Sequence, residues 1–596
     1  MRNQRLGGLG LRCTNSPQTM ASKASIRAAK KLNRVAQPTA ATVSVENSRL
    51  WVWLFAAATI IAGMAYSPAL NGPFVFDDYH LPFSNPNAGN LPMTFWIGGV
   101  RPILMASYWI NYQVSGTKTP SYHFFNLIIH AATAVVVFFL LQRLLKLARI
   151  QGNTFLVSLF GAALFLLHPL QTESVAYVAG RSELVSGFFL LGAWLVFLKH
   201  FESDTTLATA VKILLLAAVA VLGKESAISV PAVLLLTDWY WNPASLREQI
   251  RSRLKLYFPM LIGGLVAGIA IIHSLSKSST GLSTKDVTPF RYALTECRAI
   301  LTYLRLFLIP VGQNGDWQLP FYRSLSDHGA WFSMLGILIL LGGIVFTYRS
   351  APLLSFGLAV FLVLLMPTSS VVPINDALAE RRMYLPIVGL ILAGVAIAQR
   401  FHLDSAMSRT AAIVVLIVAA TLTFQRSRVW GSDTAFWENV IQGTPGNSRA
   451  HLGLGDSYLF HRRYADALKE FETVEKLDGA SEKTILNRVL VYEYNHNYDL
   501  ALDALHKVAA MHPTAYVYTH IGYAEASFGR VNESLSAFNL ALTLDPAYVP
   551  AFVERGELYV AIGDNNRARA DFQKALDLQP HNQAAMAGLS EVAGKD

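Results

Sequence analysis

Cysteine is nearly absent. The 596 residues hold two, Cys13 and Cys297, far apart and in different contexts, so no disulfide framework exists and the redox compartment stays open. Charge is scarce as well, at 15% of residues against 53% hydrophobic, with a mean hydropathy of +0.36. That excludes a string of ordinary soluble domains and identifies a membrane protein. Acid is almost missing from the first 49 residues, where Glu46 alone faces Arg2, Arg5, Arg12, Lys23, Arg27, Lys30, Lys31, Arg34 and Arg49. Much of the net charge of +10 therefore sits in one tail, and it does not argue for a nucleic-acid partner. No Walker or GxGxxG motif stands in a strand-to-helix context, so no soluble nucleotide site is expected.

What is present begins with long apolar runs. A helix needs about 20 residues to cross the hydrocarbon, and segments near 50–67, 123–142, 155–168, 184–199, 207–222, 226–240, 257–273, 331–347, 352–368, 384–399 and 410–424 qualify as eleven spans. No A-x-A-like cleavage site follows the first, which is expected to remain as an uncleaved anchor behind a basic cytoplasmic tail, 1–49; an Arg-rich organelle presequence is the alternative. With the tail inside, Arg143, Lys146, Arg149, Lys199, Arg247, Arg251, Arg253, Lys255, Arg349, Arg400 and Arg409 all fall in cytoplasmic turns. Residues 291–309 are long enough to cross, but Arg291, Glu296, Arg298 and Arg305 interrupt them at helical intervals. They are read as an interfacial or re-entrant helix, and the span count depends on that reading.

Beyond residue 445 a repeat appears. Tyr458, Tyr492 and Tyr559, Ala467, Ala501 and Ala568, Gly455, Gly522 and Gly556, and Pro513, Pro546 and Pro580 recur at spacings of 33 or 34 or their sum, with Gly479 near the place of the first proline. This is the tetratricopeptide (TPR) period. The expected fold is thus all-α: a polytopic bundle over 50–424, a linker helix at 425–447, and a solenoid of about four repeats over 448–596 whose last residues cap it. Stacked helix pairs make a groove suited to an extended protein or peptide, although an array of this kind can also be a folding appendage.

The orientation collects the unusual polar residues on the non-cytoplasmic side: "FDDYH" with Asp77 and Asp78, Arg101, "HPLQTESVAYVAGRSELVS" with His168, Glu173 and Arg181, "GKES" with Lys224, and "NDALAERRMYLP" with Arg381, Arg382 and Tyr384. Each has a plainer reading. Paired acids after a first span are commonly a solvated loop, His168-Pro169 a helix end, Arg101 a headgroup anchor, and Lys224 and Glu225 a local ion pair. Arg381 and Arg382 stand out, because outer-side arginines run against the positive-inside bias.

"NGPFVFDDYH", "SYHFFNLIIHA", "HPLQTESVAYVAGRSELVSGFFLL", "GKES", "ERRMYLP" and the closing "RSRVWGSDTAFWENVIQGTPGNSRAHLGLG" that leads into the repeats together resemble the transmembrane-and-TPR protein O-mannosyltransferases (TMTC family) and their bacterial relatives. The resemblance implies a GT-C glycosyltransferase bundle whose outer catalytic loop, 68–122, carries Asp77 and Asp78 as the catalytic pair. It implies a lipid-linked sugar donor, such as a polyprenyl-phosphate hexose, and a Ser or Thr acceptor on a translocated protein. Arg381, Arg382, Lys224, Arg181, His168, Glu173, Arg101 and Tyr384 are then candidates for the donor's phosphate and sugar. No metal site is indicated. The partners implied are membrane lipid, the lipid-linked sugar and a protein acceptor, with no nucleic acid. A bacterial inner membrane with a periplasmic active face is expected, the endoplasmic reticulum being the alternative. A membrane-anchored interaction scaffold and, less well supported, a transporter or flippase are the rival functions; a transporter would want its charges at mid-membrane rather than at span ends.

Overall fold

The computed structural model describes residues 48–85, 88–99, 101–277, 287–369, 373–374, 376–399 and 406–594. The basic tail read at 1–49 lies outside them except for Ser48 and Arg49. Contacts divide the chain at Trp53, and the fold described below is that of the unit beginning at Leu54.

Among the described residues there is no strand. The main helices are α1 (Ser48–Tyr66), α2 (Pro102–Ser115), α3 (Thr119–Leu147), α4 (Thr154–Leu167), α5 (Arg181–Lys199), α6 (Leu207–Gly223), α7 (Val230–Trp241), α8 (Leu254–Lys277), α9 (Pro289–Leu308), α10 (Ala330–Ser350), α11 (Pro352–Leu365), α12 (Ile387–Ala398) and α13 (Ala406–Val429). Each of the eleven expected apolar segments overlaps one of them, and α2 lies outside all eleven. Five are long and apolar enough to cross a membrane, a sixth arises if α4 and Pro169–Ala176 form one span bent by 50°, and α6, α11, α12 and the first part of α8 are shorter apolar helices. α9 does not pass that test. It starts at a capped end, where the Thr288 hydroxyl accepts from the Arg291 N–H and Pro289 occupies the first turn. It is then tied to the segment before α12, for the Tyr303 hydroxyl both donates to the Ala379 carbonyl and accepts from its N–H, at 3.0 Å each.

The stretch expected as a linker is the end of α13 followed by a separate helix, α14 (Asp433–Gly443). Four helix pairs follow: α15 (Ser448–Phe460) with α16 (Tyr464–Asp478), α17 (Glu482–Tyr494) with α18 (Tyr498–Met511), α19 (Ala515–Ser527) with α20 (Val531–Leu544), and α21 (Val549–Ala561) with α22 (Asn565–Leu578). α23 (Gln583–Ala593) closes the series. Pro513, Pro546 and Pro580 each stand two residues past the end of a second helix, and Gly479, with φ +86°, ends α16 in their place.

The repeat glycines have a packing reason. A Cβ on Gly455, Gly522 or Gly556 would sit 2.4, 2.7 or 2.8 Å from the ring of Phe471, Phe538 or Phe572, which lies on the partner helix of the same pair. In the second pair the corresponding positions are Val489 and Leu505, both buried in one cluster. A larger residue on one helix is matched by a smaller one on the other, which keeps the core volume and hence the packing.

Candidate active site

The "FDDYH" stretch is a short 3-10 helix, Phe76–His80. It begins with strain, because Phe76 has φ +55°, a region that bulky residues seldom enter. The ring explains how this is held. It packs edge-on to Trp437 at 5.9 Å, lies 6.3 and 6.4 Å from Tyr177 and Phe436, and has the Arg449 guanidinium over it at 4.8 Å.

The two acids diverge. Asp78 is fully buried, with Oδ2 accepting from the Val75 N–H at 3.1 Å and Oδ1 from the Ala179 N–H at 2.8 Å. Burial, more than any neighbouring charge, pushes its carboxyl up to about 8. Asp77 is fixed through its backbone, whose N–H donates to the Tyr177 hydroxyl at 2.8 Å, while its carboxylate accepts no protein hydrogen bond among the described residues. Asp77 instead lines a cleft of about 920 Å³. Tyr79 and His80 share its near wall; Asp433 and Trp437 of α14, Arg449, Asp456 and Phe460 of α15, and Lys483 of α17 complete it. Asp456 accepts from Asn487 at 2.6 Å, and burial pushes its carboxyl up to about 6.

The "TESVAYVAGRSEL" segment stitches this site together. Tyr177 and Ala179 hold the paired-acid turn, as just described. Glu173 accepts from the Arg381 Nη1 at 2.6 Å and from the Arg381 backbone N–H at 2.9 Å. Arg181 is wholly buried: Nε donates to Asn126, Nη1 to the Ser107 carbonyl and Nη2 to the Tyr122 carbonyl, and its guanidinium lies over Tyr108, Phe125 and Tyr122. Glu183 pairs with Lys224, both buried.

The remaining candidates separate. Arg381 keeps 21% of its side-chain exposure, and its Nε and Nη2 take no acceptor among the described residues. Against the cost of burial, Glu173, Tyr177 and Asp77 hold its guanidinium above the ordinary range. Arg382, in contrast, spends both Nη atoms on backbone, with Nη1 donating to Ala377 at 3.0 Å and Nη2 to Asp376 at 2.5 Å. It fixes the loop. Arg101 and Glu225 form a two-point pair at 2.8 and 2.5 Å, and Arg101 holds Glu225 down to about 2 despite burial. With Lys224 and Glu183 they make a second cluster, and no hydrogen bond or ion pair among the described residues joins it to Asp77. His168 caps the turn after α4, accepting from the Leu170 N–H, and its Nε2 donates to the Phe307 carbonyl. The buried Tyr384 hydroxyl meets His130 at 3.1 Å. None of the eight donor candidates, Arg381 included, lines the cleft. Among the described residues no group of three or more His, Cys, Asp or Glu could hold a metal ion.

Residues 313–318 also belong to the site, and the sequence reading passed over them. Asp316 accepts from Arg449 Nε and Nη2 at 2.9 and 2.5 Å and from Asn447 at 2.9 Å, while Gln313, Asn314 and Trp317 all donate to the buried Glu380. The available signal was the polar run "QNGDWQ" at 313–318, shortly after the end of the amphipathic α9 at Leu308.

Comparison with known proteins bears on this arrangement. TPR family models match residues 486–549 and 549–582. The protein O-mannosyl-transferase F38B6.6 of Caenorhabditis elegans is 24% identical over 441 residues, covering 70% of this chain and 62% of its own. The human protein O-mannosyl-transferase TMTC3 is 25% identical over 537 residues, covering 81% and 58%. The chain is a relative of the TMTC protein O-mannosyl-transferases. It spans about three fifths of the length of those two TMTC proteins. Among solved structures, the TPR protein YrrB is 20% identical and covers 33% of this chain and 96% of its own, at a TM-score of 0.23. In this TMTC relative, the paired acids that carry the resemblance occupy one turn with divided surroundings: Asp78 locked inward, Asp77 open to the cleft.

Proposed function

We propose that the chain is a membrane glycosyltransferase of GT-C type that moves a hexose, mannose by its relatives' names, from a polyprenyl phosphate to Ser or Thr of a protein on the non-cytoplasmic side. The observation that carries this reading is the Asp77 carboxylate, free of protein donors on the wall of a 920 Å³ cleft. The acceptor oxygen attacks the anomeric carbon as its proton passes to Asp77. The bond from that carbon to the phosphate oxygen breaks, and the electron pair leaves with the lipid phosphate. Attack opposite the leaving group inverts the anomeric centre.

Arg381 is the favoured phosphate partner, since its Nε and Nη2 are uncommitted and it lies within electrostatic reach of Asp77. Asp78 serves as a strut that sets the turn. The repeats receive the acceptor. Bacterial inner membrane is the expected location. The test is intact-mass glycoproteomics of exported proteins from cells with and without the chain: hexose-sized mass additions that vanish on deletion support the reading, and identical glycoproteomes contradict it.

A further inference from the structure

The repeat array holds a second cleft, of about 440 Å³, where α17, α19 and α21, the first helices of three successive pairs, come together. Three tyrosines line it, Tyr494, Tyr523 and Tyr548, with two carboxylates, Glu493 and Glu554, and no lysine or arginine. The carboxylates differ in what they already hold. Both Glu493 oxygens lie 3.0 Å from His520 Nδ1. Glu554 has neither an ion pair nor a hydrogen bond among the described residues, and the neighbouring Arg555 is turned away to Asp571 at 2.8 and 2.7 Å. Burial, with Glu557 adding to it and His520 only partly opposing it, pushes the Glu554 carboxyl up to about 7, so an unpaired charge there is costly. The first cleft differs, because Arg449 and Lys483 stand there among its acids.

We infer that this second cleft receives a lysine or arginine side chain of an extended protein segment, its cation pairing with Glu554 and its stem lying across Tyr523 and Tyr548. A half-buried carboxylate gains most from a cation that arrives with its own apolar stem, and tyrosine faces attract that cation further. The inference rests on reading the array as the protein-recognising part of the transferase, and it adds the chemistry recognised.

The test uses the full chain in lipid nanodiscs. Randomised decapeptides displayed on phage are selected on it, and the best binder is resynthesised with its basic residue and with norleucine there. Selection should enrich lysine or arginine at one position, and norleucine should weaken binding about tenfold on the unaltered chain and not at all on E554Q. Tyr523→Ala, which leaves the charges in place, should weaken the same peptide. A neutral or acidic consensus, an absence of binders, or a norleucine penalty unchanged in E554Q would overturn the inference. None of these outcomes touches the transferase reading, which is tested by the glycan assay alone.

Discussion

Asp78 faces two backbone N–H groups, one from each side of the site, and only a carboxyl group can accept from both. In Asp78→Asn the amide nitrogen must meet one of those donors, at a cost of about 1 to 3 kcal/mol. The apparent unfolding midpoint in detergent should drop, while that of Asp77→Asn, whose carboxylate holds nothing, should not move. The pH dependence has a definite sign. With its pKa lifted to about 8 from an ordinary value near 4, Asp78 keeps its proton in the folded chain where the unfolded chain has lost it. Its contribution is therefore fully present below about pH 4 and is lost as the pH rises to about 8, a slope that Asp78→Asn should remove. The two neighbouring arginines divide in a similar way. Arg381→Ala should weaken donor binding about 10- to 150-fold, the value of a charge-assisted contact of roughly 1.5 to 3 kcal/mol. Arg382→Ala should leave donor affinity near normal in titrations with lipid phosphate and lower stability instead, because its partners are loop carbonyls.

At the scale of elements, the junction between Phe76 and Arg449 decides where Asp77 points. A left-handed phenylalanine persists only if its surroundings hold it, and one of the groups that hold it, Arg449, belongs to the first repeat and is itself fixed by Asp316. Arg449→Ala should lower turnover with donor affinity unchanged. Arg449→Lys, which keeps charge without the planar stack, should restore part of it; equal turnover in all three would remove Arg449 from the positioning of Asp77. This junction was not legible in the sequence, because it joins residues 76, 316 and 449 that no periodicity relates. Periodicity did expose the repeats, since one register of glycine, alanine and proline carries their packing. Apolar length found eleven of the thirteen main helices before α14, but not α2, and it left α9 as an interfacial or re-entrant helix. Motif reading singled out the segments at 77–78, 173–183 and 381–382, which the structure packs against one another, yet could not tell a scaffold arginine such as Arg181 from a free one. That difference lies in the carbonyls of Ser107 and Tyr122, which side-chain chemistry alone does not announce.

For the whole molecule, the cleft that Asp77 shares with α15 and α17 puts the paired acids and the start of the repeats on one side of any membrane, whatever the number of spans. Cysteine labelling at positions introduced beside residues 79 and 461 should report the same side. The shared core also changes where the chain can be cut. Trp430, Phe436, Trp437, Ala450, Leu454 and Phe471 pack in one cluster with Val75 and Tyr177. Removing residues 446–596 should therefore destabilise the bundle, whereas removing 512–596, which keeps α17 with its Lys483, Asn487 and Val491, leaves the junction whole and should weaken acceptor use much more than donor binding.

The central claim is that Asp77 takes the proton of the acceptor hydroxyl, and single-turnover transfer of labelled mannose from polyprenyl phosphate to an exported Ser/Thr acceptor measures it directly. The account predicts that Asp77→Asn binds donor normally and transfers roughly 10²- to 10⁴-fold more slowly. Transfer by purified Asp77→Asn at the unaltered chain's rate would contradict it.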